Sequence, residues 1–188
     1  MGSQSEVQVI YPVVTFGHDV LRQKATPVPE VNEDVRQLVR DMLESMYAAK
    51  GLGLAAEQIG RTESVCVIDV PNEAEKEECR GENAAIPMPL VLINPEIIAK
   101  EGRQRNEEGC LSFPEIGAPI SRADRVTVSF TDLDGKRQTV SARGLLSRAI
   151  QHETDHLNGV LLVDRMTPLQ RLSVAGQLKR LQKAAQTE

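Results

Sequence analysis

The feature that most constrains this chain is a pair of histidines four residues apart. His152, Glu153 and His156 stand in the order HETDH, which matches the pattern HExxH. Residues four apart share one face of an α-helix, so both imidazoles can reach one metal ion, with Glu153 beside a water bound there. A buried helix with incidental polar residues is the alternative, but burying two histidines and a glutamate without partners is costly. The pattern therefore predicts a helix that carries a metal site.

The sequence downstream of this pattern offers no convincing third ligand. A metzincin continues with a third histidine, and this chain has Leu162 at that position. Beyond His156 the only acids are Asp164, just past a turn, and the terminal Glu188. A third ligand is therefore expected upstream.

Upstream, Cys110 lies in the segment NEEGCLSFP. A thiolate added to two imidazoles leaves one coordination position open, as a catalytic metal needs. Cys66 lies in an apolar segment, Cys79 in a charged one, and His18 in a turn-like setting, so each is a weaker candidate. We predict Cys110 as the third ligand, with a buried structural thiol as the alternative.

A third motif, GLGLAAEQIG, spans residues 51–60. It contains GxGxxA, but a dinucleotide fingerprint follows a strand, whereas this one follows a predicted helix, and no phosphate-loop lysine follows it. Gly51 and Gly53 can instead allow another backbone to approach closely, and Gln58 supplies an amide donor. A helix end with a connecting turn is the alternative.

Composition limits the classes of protein to which this chain can belong. Its 188 residues, 40% hydrophobic and 26% charged, predict a single globular domain over 1–188. The net charge of -5 argues against generic nucleic-acid binding, and no apolar run or leader-like start is evident, so neither DNA nor a membrane is expected as a partner. Three cysteines are too few for a disulfide framework and favour a reducing, cytoplasmic location.

Periodicity and turn residues predict the remaining elements. Helices are predicted at 33–48, around HETDH and at 167–185, and strands at 64–70, at 90–98 and on both sides of Asp134-Gly135. Residues 1–29 are predicted as extended chain, and the acidic stretch 72–89 as a surface loop. Helices and strands do not alternate regularly, which favours an α+β fold. We expect mixed or antiparallel sheets packed around a central HExxH-bearing helix, with an N-terminal and a C-terminal helix.

Taken together, GLGLAAEQ, EEGCLS and QHETDHLNG resemble the three signatures of the peptide deformylase family, in that family's order. The resemblance covers roughly residues 8–165. It implies a hydrolase that removes the formyl group from the N-terminal formylmethionine of newly synthesised polypeptides and releases formate. An HExxH zinc endopeptidase and a closed structural zinc site that adds Asp164 are the alternatives.

The resemblance also implies roles for individual residues. Cys110, His152 and His156 correspond to the family's metal ligands, with iron(II) as the physiological metal and zinc, nickel or cobalt as substitutes. Glu153 corresponds to the general base and acid of a metal-assisted hydrolysis.

The remaining site residues follow from the same resemblance. The Gln58 side chain and the Leu111 main-chain amide correspond to the groups that bind the formyl oxygen, and Gly53 to a backbone position that pairs with the extended substrate. The residues that form or border the pocket for the methionine side chain are Leu52, Glu108, Gly109, Leu145, Arg148 and Ala149. The charge of Arg148 is expected at the rim of that pocket. The acidic stretch 72–89 is longer than in the shortest family members.

The C-terminal segment differs in charge from the rest of the chain. Residues 165–188 contain five basic residues and one acid, a net +4, whereas the preceding residues carry -9. Formylmethionyl nascent chains emerge from ribosomes, so this basic helix is a candidate for ribosome contact. A solvated helix face packed by its leucines is the alternative.

Overall fold

The computed structural model describes residues 9–187, and this range contains six α-helices and seven strands. The helices are α1 (Glu33–Ala48), α2 (Glu77–Asn83), α3 (Gly144–Leu157), α4 (Leu162–Arg165), α5 (Pro168–Ser173) and α6 (Ala175–Ala185). The strands are β1 (Gly53–Ala55), β2 (Val65–Ile68), β3 (Leu90–Glu101), β4 (Gln104–Gly109), β5 (Gly117–Arg122), β6 (Arg125–Thr131) and β7 (Arg137–Arg143). Short 3-10 helices occupy Asp19–Arg22, Ala56–Ile59 and Asn72–Ala74.

The strands form two antiparallel sheets. The larger has the order β1-β2-β3-β6-β7, and β4 and β5 form a separate pair. Strand β3 pairs with β2 through its first residues and with β6 through its later ones, with register shifts between. These antiparallel sheets, with helices packed against them, confirm the α+β prediction.

Strand β2 is buried on both faces because it lies between two helices. Val65 and Val67 pack in the cluster that contains α1, whereas Cys66 and Ile68 pack in the cluster that contains α3. All four are fully buried. This explains why the segment is a continuous apolar run rather than an alternating one, since neither face meets water.

Helix α1 has the predicted bounds and the predicted cap. The Asn32 side chain accepts a hydrogen bond of 3.0 Å from the Val35 amide. Its apolar stripe, including Leu38, Met42 and Met46, is buried against the sheet. The capping acceptor and the stripe therefore specify the same helix.

Helix α3 and the β6–β7 hairpin also match the predictions. Helix α3 ends at Leu157, and Gly159 follows it with a φ of +70°. A side chain at 159 would also collide with the carbonyl oxygen of Arg22. In the hairpin, Gly135 adopts a φ of +77° at the turn, a conformation that glycine adopts without strain.

Two predictions about elements were wrong. The acidic stretch 72–89 is not a plain loop, because it contains a 3-10 helix and α2. The predicted helix 167–185 is broken at Val174, whose φ of -105° and ψ of 4° lie outside the helical range. The Ser173 hydroxyl donates to the Gln170 carbonyl oxygen at 2.7 Å, and such local bonds compete with a continuing helix.

The N-terminal stretch is only partly described, since residues 1–8 of the predicted extended segment lie outside the described range. From residue 9 it is largely irregular, with the 3-10 helix at Asp19–Arg22. Among residues 9–187, no helix combines the length and apolar character needed to cross a bilayer.

Candidate metal centre

Three predicted ligands converge at the end of β4 and on one face of α3. Cys110 directly follows β4, and its Sγ lies 3.2 Å from His156 Nε2. His156 Nε2 lies 3.2 Å from His152 Nε2, and one ligand atom from each of the three residues lies within 4.8 Å of the others. Both histidines are buried. Residues far apart in sequence thus present one sulfur and two nitrogens to a common point.

The hydrogen bond at the far side of His152 decides which of its nitrogens can bind a metal. Its Nδ1 lies 2.7 Å from Glu108 Oε1, so a neutral ring donates there and presents the Nε2 lone pair to His156. A carboxylate behind a metal-binding histidine fixes the ring in this way. One thiolate and two such imidazoles are a donor set for a transition metal, and the residues therefore fit one.

The two imidazole rings have surroundings of different charge, and those of His152 favour a cation. Burial holds the pKa of His156 well below its usual range, so this ring stays neutral, as a ligand requires. Burial also lowers the pKa of His152, but the Cys110 thiolate and Glu108 outweigh it and hold this pKa well above its usual range. An environment that stabilises positive charge on His152 also stabilises a metal ion beside it.

Glu108 is held in place by two arginines. Arg122 donates to it from Nε at 3.1 Å and from Nη2 at 2.6 Å, and Arg148 from Nη1 at 2.5 Å. Burial raises the pKa of Glu108, but hydrogen bonds from His152 and Arg122 outweigh it, and the pKa falls well below its usual range. Glu108 therefore stays ionised behind His152.

The predicted position of the Arg148 charge was wrong. The side chain lines the cavity beside the ligands but is only 4% exposed, with its guanidinium on Glu108 and, at 3.1 Å, on the Ile120 carbonyl oxygen. The reason is the buried Glu108 carboxylate, because pairing with it makes burial of the guanidinium tolerable. Glu108, expected at the methionine pocket, likewise directs its carboxylate to Arg122, Arg148 and His152.

The same network continues along α3 to Asp155 through Arg122. Arg122 Nη1 donates to Asp155 Oδ2 at 2.5 Å. Arg165 donates to the same carboxylate from Nε at 2.9 Å and from Nη2 at 2.5 Å. No signal in the sequence pointed to this chain of ion pairs, because its members are far apart along the chain.

Glu153 lies beside the ligands and against β1. It is 4% exposed, and burial raises its pKa to about 7. A methyl group at position 53 would lie 2.3 Å from Glu153 Oε1, so Gly53 leaves the space that this carboxylate occupies. A carboxyl with a pKa near neutrality can both accept and return a proton.

Gln58 brings an amide donor to the ligands. Its Oε1 accepts from the Ala55 amide at 2.9 Å, which orients Nε2 towards Ser112 Oγ at 3.2 Å and Cys110 Sγ at 3.6 Å. Next to Cys110, Leu111 packs so closely on Gly51 that a methyl group there would lie 2.7 Å from its Cδ1. The motif follows α1 and forms an edge strand and a 3-10 turn, so it is not a dinucleotide loop.

A cavity of about 660 Å³ opens beside these groups. It is lined by every predicted site residue except His156, namely Leu52, Gly53, Gln58, Glu108, Gly109, Cys110, Leu111, Leu145, Arg148, Ala149, His152 and Glu153. Gly51, singled out from the sequence as a position of close backbone approach, also lines it, and the lining residues that sequence reasoning missed are Glu107, Phe113, Pro114, Glu115 and Ile116. Most of these directly follow Cys110 and Leu111, so proximity to that motif was the available signal.

The other candidate ligands lie elsewhere. Asp164, needed for a closed structural zinc site, pairs with Arg22 and accepts from the Leu161 amide at 2.8 Å. Cys66 and Cys79 are buried outside the cluster, and within residues 9–187 the metal-binding group consists of Cys110 and the two α3 histidines.

Comparisons with known proteins agree on one family. The model of the family described as polypeptide deformylase matches residues 10–172. The chain is 47% identical to a peptide deformylase of Acidobacterium capsulatum over 95% of this chain and 99% of that protein, and 44% identical to one of Rhizobium meliloti over 95% of both.

Solved structures give the same result. A peptide deformylase of Ehrlichia chaffeensis matches with a TM-score of 0.84 and 33% identity, over 95% of this chain and 98% of that one. One of Synechococcus elongatus, in complex with actinonin, matches with a TM-score of 0.77 and 41% identity, over 90% and 86%.

Proposed function

This chain belongs to the polypeptide deformylase family, and from that premise we propose that Cys110, His152 and His156 hold the metal on which its activity depends. It is an enzyme that removes the formyl group from the N-terminal methionine of newly made polypeptides. The observation that carries the ligand assignment is the convergence of three donor atoms within 4.8 Å of one another, two of them from residues that line the cavity.

The proposed metal is iron(II), with zinc, nickel or cobalt as substitutes. When bound, it supplies Lewis acidity towards water and the formyl oxygen. The soft Cys110 thiolate supports a transition metal and makes an iron site sensitive to oxidation. Activity of the iron-loaded protein should therefore decay in air and persist with nickel, and equal decay with both would contradict the role of iron.

Glu153 is the proposed general base and acid. It accepts a proton from the attacking water and returns it to the leaving amine, which releases formate and a free N-terminus. Its pKa of about 7 suits both transfers near neutral pH. Gly53 supports this role because it leaves room for the carboxylate beside the ligands.

Gln58 and the main-chain amide of Leu111 are the proposed donors to the formyl oxygen. The Ala55 amide fixes the orientation of Gln58, so its Nε2 is directed before substrate arrives. Preorganised donors of this kind stabilise the negative charge that develops on the oxygen, and losing one typically costs about 100- to 1,000-fold in rate.

The substrate is proposed to lie extended along β1, at the free edge of the larger sheet. Its main chain meets Gly53, and its first side chain enters the cavity near Leu52, Leu145 and Ala149. Gly109, Glu108 and Arg148 border the same cavity. Because the Arg148 guanidinium is buried on Glu108, the cavity can accept an apolar side chain such as methionine.

We further propose that this one-domain protein acts in the cytoplasm, with an organelle as the alternative, and contacts ribosomes through α5 and α6. The three cysteines are free thiols, which suits a reducing compartment. Arg171, Lys179, Arg180 and Lys183 lie on these helices. Changing the last three to glutamate should reduce co-sedimentation with ribosomes, and unchanged co-sedimentation would dismiss this contact.

The decisive experiment combines metal analysis with activity. Protein purified without oxygen should contain about one transition-metal ion per chain and release formate from formyl-Met-Ala-Ser. Glu153→Ala should keep the metal and lose the activity. Cleavage of internal bonds in an unformylated peptide would instead indicate an endopeptidase.

A further inference from the structure

The acidic stretch 72–89 supplies an N-terminal cap to α3. Arg143, the residue that precedes α3, makes no capping bond with its own side chain. Glu75 takes that role from a distant part of the chain. Its Oε2 accepts from the Leu145 amide at 3.1 Å and its Oε1 from the Leu146 amide at 2.6 Å. A carboxylate at this position satisfies two free amides and complements the helix dipole.

Glu75 is itself held firmly. Asn83 Nδ2 donates to Glu75 Oε1 at 3.1 Å and to the Arg143 carbonyl oxygen at 3.0 Å, and Asn83 Oδ1 accepts from the Arg143 amide at 3.0 Å. Glu75 and Asn83 are 5% and 8% exposed. Because these hydrogen-bond partners of the Glu75 carboxylate are all N–H donors, a glutamine there would place an NH₂ group against another donor.

The stretch lies directly on the first residue of α3. A methyl group at Gly144 would lie 2.7 Å from both Glu75 Oε2 and Cys79 Sγ. A second tether comes from Glu82, which pairs with Arg143 at 2.8 Å and also with Arg125. The beginning of α3 is therefore held by this stretch together with Asp124, whose carbonyl oxygen accepts from the Gly144 amide at 2.9 Å, and Gln104, whose Nε2 donates to the Gly144 carbonyl oxygen at 2.7 Å.

Leu145, whose amide binds Glu75, also lines the cavity. His152 lies seven residues further along α3, two turns away on the same face. We propose that Glu75 is a positioning residue, which fixes the first turn of α3 and thereby sets where Leu145 stands in the cavity wall. Discrimination between first side chains then depends on the 72–89 stretch. This inference rests on the proposed role of Leu145.

The proposed test uses Glu75→Gln, with Glu73→Gln as the matched control. Glu73 is exposed in the same stretch, so the control makes the same change of charge without touching α3. Kinetics are measured for formyl-Met-Ala-Ser and formyl-Ala-Ala-Ser, because only the longer side chain reaches the cavity wall. Glu75→Gln should lower the kcat/KM ratio between the two substrates by about fivefold, mainly through KM for the methionine substrate. Glu73→Gln should leave the ratio unchanged.

Thermal unfolding separates this role from a purely structural one. Loss of the cap should lower Tm by about 3 to 6 °C. If Tm falls while the substrate ratio stays within about twofold of wild type, roughly the resolution of such a comparison, the cap only stabilises the fold and the proposal is overturned. If Glu75→Gln does not fold, Asn83→Ala loosens the same carboxylate and should shift the ratio in the same direction.

Leu145→Ala distinguishes failure of this inference from failure of the proposed pocket. It should change the substrate ratio by about tenfold if Leu145 contacts the first side chain. A changed ratio in Leu145→Ala with an unchanged ratio in Glu75→Gln overturns the positioning role alone. An unchanged ratio in Leu145→Ala overturns the pocket assignment, and the positioning role with it.

Discussion

The side of α3 that carries Glu153 and His156 differs from the side that carries Gln151 and Asp155 in how completely these four side chains are hydrogen-bonded. On the first side, Glu153 Oε2 and His156 Nδ1 are buried without a protein partner within residues 9–187. On the second side, both oxygens of Asp155 accept from arginines, and Gln151 Nε2 donates to Ser147 and to the Ala123 carbonyl oxygen.

The difference suggests that Glu153 and His156 serve the reaction, whereas Gln151 and Asp155 stabilise the helix that carries them. An unsatisfied buried polar group costs about 1 to 3 kcal/mol, and it persists only where the surrounding structure holds it. The side with Gln151 and Asp155 supports the metal ligands through His152, because Arg122 connects Asp155 to Glu108, and Glu108 orients His152. Changes on the first side should therefore affect activity, and changes on the second should affect stability.

The largest effect is expected from Glu153→Gln. Removing the proposed general base should lower kcat by about 1,000-fold or more, while Tm stays close to that of wild type. Asp155→Asn is the matched change on the other side, and it should lower Tm while activity stays within a few-fold. Formate release and thermal unfolding are measured for both variants. A similar loss of activity in both would contradict the division of roles between the two sides of α3.

Arg122→Ala tests how much the ion pairs around Asp155 contribute to stability. It leaves Glu108 and Asp155 buried without their shared partner and should lower the free energy of unfolding by about 3 to 5 kcal/mol. Arg165→Ala removes the more exposed partner of the same Asp155 and should cost less than about 1 kcal/mol. Urea unfolding measures the free energy of unfolding of both variants. Equal losses of stability would show that burial of an arginine does not decide how much its ion pair contributes.

The pH dependence of stability tests whether the buried Glu57 is neutral in the folded protein. It is fully buried, neither carboxylate oxygen has a partner within the described residues, and burial raises its pKa from 4.5 to about 8. Between these values the unfolded chain releases the proton first, so stability falls as pH rises, by about 1.4 kcal/mol per pH unit. Glu57→Gln should thus be more stable than wild type by about 3 to 5 kcal/mol at about pH 9 and little changed near about pH 4. Parallel pH–stability curves would argue against a neutral, buried Glu57.

The smallest effect is expected on metal affinity, from a change at Glu108, which connects Arg122 to His152. Glu108→Gln keeps the shape of the side chain but removes the charge that orients His152, and it should weaken metal binding by about 10- to 100-fold. Titration with a competing chelator measures the affinity. Glu107→Gln, a change at an exposed neighbour, is the control. Equal metal affinities of the two variants would show that Glu108 does not strengthen metal binding through His152.

The sequence allowed correct prediction of several elements with a local signal, although the local periodicity at 167–185 did not reveal the break at Val174. The spacing of His152 and His156 indicated a shared helix face, and the cap at Asn32 indicated the start of α1. Strand β2 was predictable because continuous apolar residues suit a strand covered on both faces. Family resemblance then supplied roles for Gln58 and Leu111 that residue types alone leave open.

The errors arise where structure depends on distant partners. Strand β4 was missed because half of its residues are charged, and β5 because it contains Gly117 and Pro119, so both compositions resemble a loop. Helix α2 lies in an acidic stretch whose role emerges only when Glu75 meets α3. Arg148 was expected at a rim because its sequence neighbours do not reveal that it pairs with Glu108, 40 residues away.

The shortness of β1 has a consequence for how the enzyme serves its many substrates. This edge strand has three residues, and the Ala55 amide is already engaged by Gln58. A substrate that pairs with β1 as proposed can therefore form only about two main-chain bonds along it, each contributing about 0.5 to 1.5 kcal/mol. Little affinity then depends on the residues beyond the first, so chains of unrelated sequence are treated alike and the finished polypeptide departs easily. A longer edge would retain its product and accept a narrower range of sequences.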